Sequence, residues 1–164
     1  MNIRKAEFKD AEQIAQVYNY YVQQTHHTFE TEPIVAEEME KRIADVTEEY
    51  PFLVAEEDGV IVGYAYATQF KLRQAYEYAS EVSIYVKNAA KQKGLGTQLY
   101  MQLFEELQET DIHAVVAGIS LPNDASVAFH ERLGFEKVAH FKEVGYKLGR
   151  WIDVGYWEKI LKVY

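Results

Sequence analysis

The stretch EVSIYVKNAAKQKGLGTQLYMQLFEEL, Glu81 to Leu107, constrains the fold more than any other part of the chain. Its opening residues are β-branched and aromatic, the composition of a strand. Its later part carries Leu95, Leu99, Leu103 and Leu107, one every four residues, which is one face of a helix. Between them sits a short turn with two glycines, Lys91-Gln92-Lys93-Gly94-Leu95-Gly96-Thr97. A strand that runs through so short a turn into an apolar-striped helix has to lay that helix back onto its own sheet. The first amides of such a helix have no partner inside it and point out of its end. The helix dipole adds partial positive charge there, and Lys91 and Lys93 add formal charge. The turn therefore reads in two ways. It is a cradle for an anion such as a pyrophosphate, or a helix start whose glycines serve close packing while the lysines are solvated. It lacks the P-loop pattern, and Leu99 stands where the dinucleotide fingerprint needs its third glycine.

The rest of the chain extends this pattern. Asp10 is placed to cap a first helix, with Gln13 completing a capping box and Ile14, Val17, Tyr18, Tyr21 and Val22 at helical spacing. A second helix is predicted near 35–48, with Ala36, Met39, Ile43 and Val46 on one face. PFLVAEEDGVIVGYAYATQF reads as two strands joined at Asp58-Gly59, and SEVSIYV as a third. IHAVVAGI is a near-continuous apolar run, as in a strand buried on both faces. LPND turns the chain into a helix, DASVAFHERL, that stops at Gly134. FEKVAHF and DVGYWEKIL read as closing strands separated by KEVGYKLGRWI. The order α, α, β-hairpin, β, α, β, α, β, β contains two strand–helix–strand units. It predicts an α/β (α+β) fold with a mixed sheet, helices on both faces, and residues 1–164 in a single domain.

Composition narrows the function. There are no cysteines among the 164 residues, which excludes disulfides, thiolate metal sites and a thiol nucleophile. The formal net charge of −9 disfavours nucleic acid and anionic membranes and favours a small-molecule partner. No apolar run reaches the roughly 18 residues of a membrane span, and MNIRKAEFKD lacks the apolar core of a signal peptide, so a cytoplasmic location is expected. The five histidines show no H-x-x-x-H spacing, so no metal is expected.

The strand, the turn Lys91-Gln92-Lys93-Gly94-Leu95-Gly96 and the helix resemble the acetyl-CoA signature of the GNAT superfamily of N-acetyltransferases, with Lys91 where Gln or Arg is usual. NDASVAFHERLGF resembles the next helix of that family. HTFETEP, KLRQAYEYASEVSIYV, SLPND and VGYKLGRWIDVGYW are similar to the branch that acetylates phosphinothricin and methionine sulfoximine.

The resemblance implies a mixed, mostly antiparallel central sheet flanked by helices on both faces. It implies acetyl-CoA as cosubstrate, held by the backbone of Ile84, Tyr85 and Val86, by the loop Lys91, Gln92, Lys93, Gly94, Leu95, Gly96 and Thr97, and by Asn123 and Ser126. The amide of Val86, or of a close neighbour, would receive the oxyanion. Glu81 and His130 are the implied proton-transfer residues, with the division into base and acid left open. Arg73, Tyr76 and Tyr78 are implied at the acceptor, with Phe29 and Thr31 as a second wall and Lys147, Arg150 and Trp151 from a later loop. A homodimer is implied as well. The expected reaction is direct attack of an amino acid's nitrogen on acetyl-CoA. The alternatives are a polyamine or protein N-terminus as acceptor, or an acyl-CoA sensor without catalysis.

Overall fold

The computed structural model describes residues 1–162, and the side chains of Lys91, Gln92 and Lys93 lie outside the described residues. Seven strands form one sheet: β1 (Asn2–Lys5), β2 (Phe52–Glu57), β3 (Val60–Gln69), β4 (Ala79–Val86), β5 (Ala114–Leu121), β6 (Glu136–Lys147) and β7 (Arg150–Ile160). Their spatial order is β1-β2-β3-β4-β5-β7-β6, antiparallel throughout except for the parallel pair β4 and β5. Four helices accompany it: α1 (Ala11–Gln24), α2 (Ala36–Thr47), α3 (Leu95–Gln108) and α4 (Asp124–Arg132).

The helices divide between the two faces as the sequence predicts. Alternate residues of a strand point to opposite faces. Val82 and Val86 of β4 join Leu95, Leu99, Leu103 and Leu107 of α3 in one core, which also takes Val115, Ala117 and Trp157. On the other face Ile14, Val17, Tyr18 and Tyr21 of α1 and Met39 and Ile43 of α2 cover Phe52, Val54 and Tyr64. The Asp58-Gly59 turn has positive φ at both residues (51° and 80°), the geometry that suits a two-residue hairpin. Gly134 has φ 86° just past α4, as a helix-ending glycine does.

Three local readings are corrected. The edge strand β1 escapes sequence reading because its four residues carry no apolar alternation. The Asp10 carboxylate does not cap α1. It takes two hydrogen bonds from the Arg4 guanidinium, at 2.7 and 2.9 Å, and one from the Glu7 amide. Burial alone would raise this carboxyl, but the Arg4 and Glu7 hydrogen bonds outweigh it and hold it below the ordinary range. Gln13 instead accepts from the Ile61 amide at 2.9 Å, tying α1 to β3. Finally, KEVGYKLGRWI is not a separating loop. It is the end of β6, a turn at Leu148-Gly149 and the start of β7.

Candidate active site

Only three rungs join β4 to β5: Ala79 with Ala114, Ser80 with Val115, and Glu81 with Val116. Beyond Glu81 both strands continue but no longer pair, so they part like the arms of a V. Which peptide groups face the opening follows from the ladders on either side. The Lys87 amide donates to the Val62 carbonyl at 2.9 Å, which makes that opposed pair hydrogen-bonded. Antiparallel pairs alternate, so Glu81, Ser83 and Tyr85 spend their peptide groups on β3, while Val82, Ile84 and Val86 turn theirs toward β5. Likewise the Leu161 amide donates to the His113 carbonyl, so Gly118 and Ser120 turn theirs toward β4. The opening is therefore edged by main-chain donors and acceptors that the sheet does not use.

This refines the expectation for Ile84, Tyr85 and Val86. Ile84 offers its backbone groups to the cleft and Val86 its amide, the Val86 carbonyl accepting from the Tyr21 hydroxyl. Tyr85 gives its own to β3 and sends its ring to the other face, where it lies 5.2 Å from Tyr18 and 5.4 Å from Tyr64.

A cavity of about 470 Å³ occupies the opening. Of the residues implied in the sequence, Ile84, Tyr85, Val86, Gly94, Gly96, Thr97, Asn123, Ser126 and His130 line it. At its mouth α3 begins at Gly94, whose φ of 70° places it in the left-handed region where glycine is at ease. The amides of Leu95, Gly96 and Thr97 follow as the unpartnered first turn. The Leu95 side chain is buried in the core beneath, so only its amide is available to a ligand. Gly96 serves packing as well: a Cβ there would meet two ring carbons of Phe129 at 3.2 Å. Lys91, Gln92 and Lys93, the rest of the expected loop, have side chains outside the described residues.

Across the cleft, Asn123 is the N-cap of α4, and its Oδ1 accepts from the Ser126 amide at 3.2 Å. One turn later His130 is 3% exposed. Its Nδ1 lies 2.8 Å from the Ser126 carbonyl, which can only accept, so Nδ1 carries the proton. Its Nε2 then accepts from the Tyr100 hydroxyl at 3.1 Å. Burial lowers the His130 pKa, against the hydrogen bond to Ser126, which favours the charged form. Burial raises Tyr100 well above the usual phenol range. Both groups are thus neutral at pH 7 and joined within a ring cluster that includes Phe104, Phe129 and Phe135. Tyr100 also lines the cavity.

Glu81 stands at the apex, directly opposite Thr68 on β3 and level with Val116 on β5. Burial raises its carboxyl pKa, the direction a general base needs. Its charge is felt by Tyr66 and Tyr156 on the same side of the sheet.

Glu81 itself is one residue short of the lining, which on β4 begins at Val82, and the remaining implied residues also lie off it. Arg73 is exposed, just before the short 3-10 turn Gln74–Tyr76 that leads to β4. The Tyr76 ring packs edge-on against Phe70, with centroids 5.7 Å apart. Phe29 sits over β6. Tyr78 is exposed, as is Trp151, whose ring rests against Tyr146. Arg150 donates to His26 at 2.7 Å. Lys147 is 5% exposed, with its ammonium on main-chain carbonyls rather than open to a ligand. Sequence reading missed Tyr21, His27, Tyr100, Gly118 and Ser120, all of which line the cavity.

A family model described as an acetyltransferase (GNAT) domain matches residues 3–155. The chain belongs to the GNAT acetyltransferase family. As a member it is an N-acetyltransferase that draws its acetyl group from acetyl-CoA. It is 37% identical over 159 residues to the phosphinothricin N-acetyltransferase of Streptomyces viridochromogenes, covering 97% of this chain and 87% of that one. It is 36% identical to the L-methionine sulfoximine/L-methionine sulfone acetyltransferase of Salmonella typhimurium, covering 94% and 91%. Among solved structures, an acetyltransferase of Salmonella typhimurium with acetyl-CoA superposes with a TM-score of 0.96 at 33% identity, over 100% of this chain and 95% of that one. A phosphinothricin acetyltransferase of Sinorhizobium meliloti in complex with acetyl-CoA gives 0.93 at 33% identity, over 97% and 87%. The resemblance to the GNAT superfamily is thereby borne out.

Proposed function

We propose that this GNAT enzyme acetylates the amino group of a small amino acid or analogue of the phosphinothricin, methionine sulfoximine or methionine sulfone type. The observation that carries this is the V between β4 and β5, with Glu81 at its apex and a helix start at its mouth. Acetyl-CoA lies in the V, its phosphates on the Gly94–Thr97 amides and its pantetheine arm along Ile84, Val86 and Asn123. The similarity to enzymes named for those acceptors supports the substrate class.

The chemistry follows from the groups present. Glu81, held partly out of water, takes a proton from the acceptor ammonium directly or through one water. The freed nitrogen attacks the thioester carbonyl, and the inward-facing Val86 amide receives the oxyanion. On the leaving side the Tyr100 hydroxyl, which lines the cavity, turns from His130 Nε2 to donate to the departing sulfur, while His130 Nδ1–H stays on the Ser126 carbonyl. Arg73 and Tyr76, on the segment entering β4, bind the acceptor carboxylate, since a guanidinium matches a carboxylate bidentately. Phe29 and Thr31 form the facing wall.

The same reading makes residues 1–164 one catalytic domain acting in the cytoplasm, where acetyl-CoA is available, as a homodimer. The exposed apolar side chains of the β6–β7 hairpin, among them Phe141, Val144, Tyr146, Leu148 and Trp151, support the dimer.

A thiol-release assay with acetyl-CoA tests the substrate class, and the cysteine-free chain adds no background. Saturable turnover on methionine sulfoximine and phosphinothricin is expected. Turnover on spermidine alone would replace this acceptor class.

A further inference from the structure

The segment after α1, residues 25–35, brings His27 to the cavity and carries Phe29 and Thr31. Two residues of β6, far away in sequence, meet it. Gly145 and Lys147 are alternate residues of one strand, so they share a face, and both are buried. A Cβ at Gly145 would lie 2.3 and 2.4 Å from two ring carbons of Phe29. No side chain at 145 is compatible with the present ring position. Lys147 Nζ donates to the Thr28 carbonyl at 2.8 Å and reaches the Tyr21 carbonyl at 3.5 Å. It thus ties the last turn of α1, which brings Tyr21 to the cavity, to the segment that brings His27 there. A buried ammonium is costly unless its hydrogen bonds are met, so these carbonyls are held firmly.

We propose that Gly145 and Lys147 are positioning residues for the acceptor side of the site, Gly145 by seating Phe29 and Lys147 by clamping Thr28 to α1. This rests on the acceptor reading above, and it replaces direct contact between Lys147 and substrate with action through the segment. Side chains from other elements complete the hold: Tyr18 shares a 2.8 Å hydrogen bond with Thr28, and Arg42 grips Glu30 at 2.5 and 2.9 Å.

The test compares Gly145→Ala, Phe29→Ala, the double variant and Lys147→Met, with methionine sulfoximine as the acceptor probe. Overpacking at 145 should raise the acceptor KM about tenfold and leave the acetyl-CoA KM within about twofold. In the Phe29→Ala background the Gly145→Ala change should add nothing, because its target ring is gone. Lys147→Met should raise the acceptor KM and speed amide exchange in residues 25–31. Additive Gly145 and Phe29 effects, equal rises in both KM values, or unchanged exchange in Lys147→Met would overturn the proposal. Wild-type protein without turnover on any amine would defeat the acceptor reading alone, and the exchange comparison would still decide whether the clamp exists.

Discussion

Glu81 and Val116 form the last rung between β4 and β5, and the sheet opens immediately beyond them. A carboxylate is therefore fixed by backbone pairing at the point where the cleft starts. On its other side Glu81 is paired with Thr68 in a hydrogen-bonded ladder, so its position does not depend on a loop. Rigid placement of this kind suits a base that has to meet a nitrogen within hydrogen-bond reach.

That placement has a cost in stability with a definite pH dependence. Burial raises the folded-state pKa of Glu81 above its ordinary 4.5, so the folded protein binds this proton more tightly than the unfolded chain. The contribution of Glu81 is most favourable below pH 4.5 and is lost as pH rises through the folded pKa. Replacing Glu81 with Gln removes the buried charge and keeps the shape. The variant should melt at a higher temperature than wild type at pH 7, and the difference should shrink as pH falls toward 4.5. Thermal melts across that range check the prediction.

Gly96 allows α3 and α4 to approach at the mouth of the cleft. A valine there would drive its Cβ and two methyls into the Phe129 ring, already 3.2 Å from the Cβ position. Overpacking typically costs about 1–3 kcal/mol. Because Gly96 and Phe129 both line the cavity, Gly96→Val should weaken acetyl-CoA binding by about tenfold or more. Calorimetric titration with CoA measures it directly.

The Tyr100–His130 pair is read through its hydrogen bond. Tyr100→Phe leaves the buried His130 Nε2 without its donor, at a cost of about 1–3 kcal/mol. The variant should unfold at lower denaturant and turn over more slowly. In a His130→Phe background the Tyr100→Phe change should cost less, since the acceptor is already gone. Denaturant melts of the four proteins give the coupling.

What the sequence made legible, and what it did not, follows from the range of each interaction. The glycine turn and NDASVAFHERLGF are local patterns, and the resemblance they carry pointed to Gly94, Gly96, Thr97, Asn123 and His130, which the structure brings to one cleft. Tyr100 looked like one more member of an apolar helix face between Leu99 and Leu103, because its partner lies thirty residues away on α4. Gly118 looked like part of an ordinary buried strand, and Ser120 like the start of the SLPND turn. Their exposure to the cleft comes from where β4 stops pairing, which no local pattern records. Lys147 looked like a loop cation because KEVGYKLGRWI lacks strand alternation, whereas the pairing of Tyr146 with Trp151 and Lys147 with Arg150 makes it a hairpin. Its clamp spans more than a hundred residues.

The central claim is that Glu81 is the base at the apex of the acetyl-CoA cleft, and the pH dependence of kcat/KM tests it most directly. With methionine sulfoximine as acceptor, wild-type protein should show a rising limb whose midpoint lies above 4.5, as burial of the carboxyl requires. Glu81→Gln should lose that limb and fall by about 100-fold or more while binding CoA as before. A Glu81→Gln enzyme that keeps the wild-type rate and the wild-type limb would contradict the account.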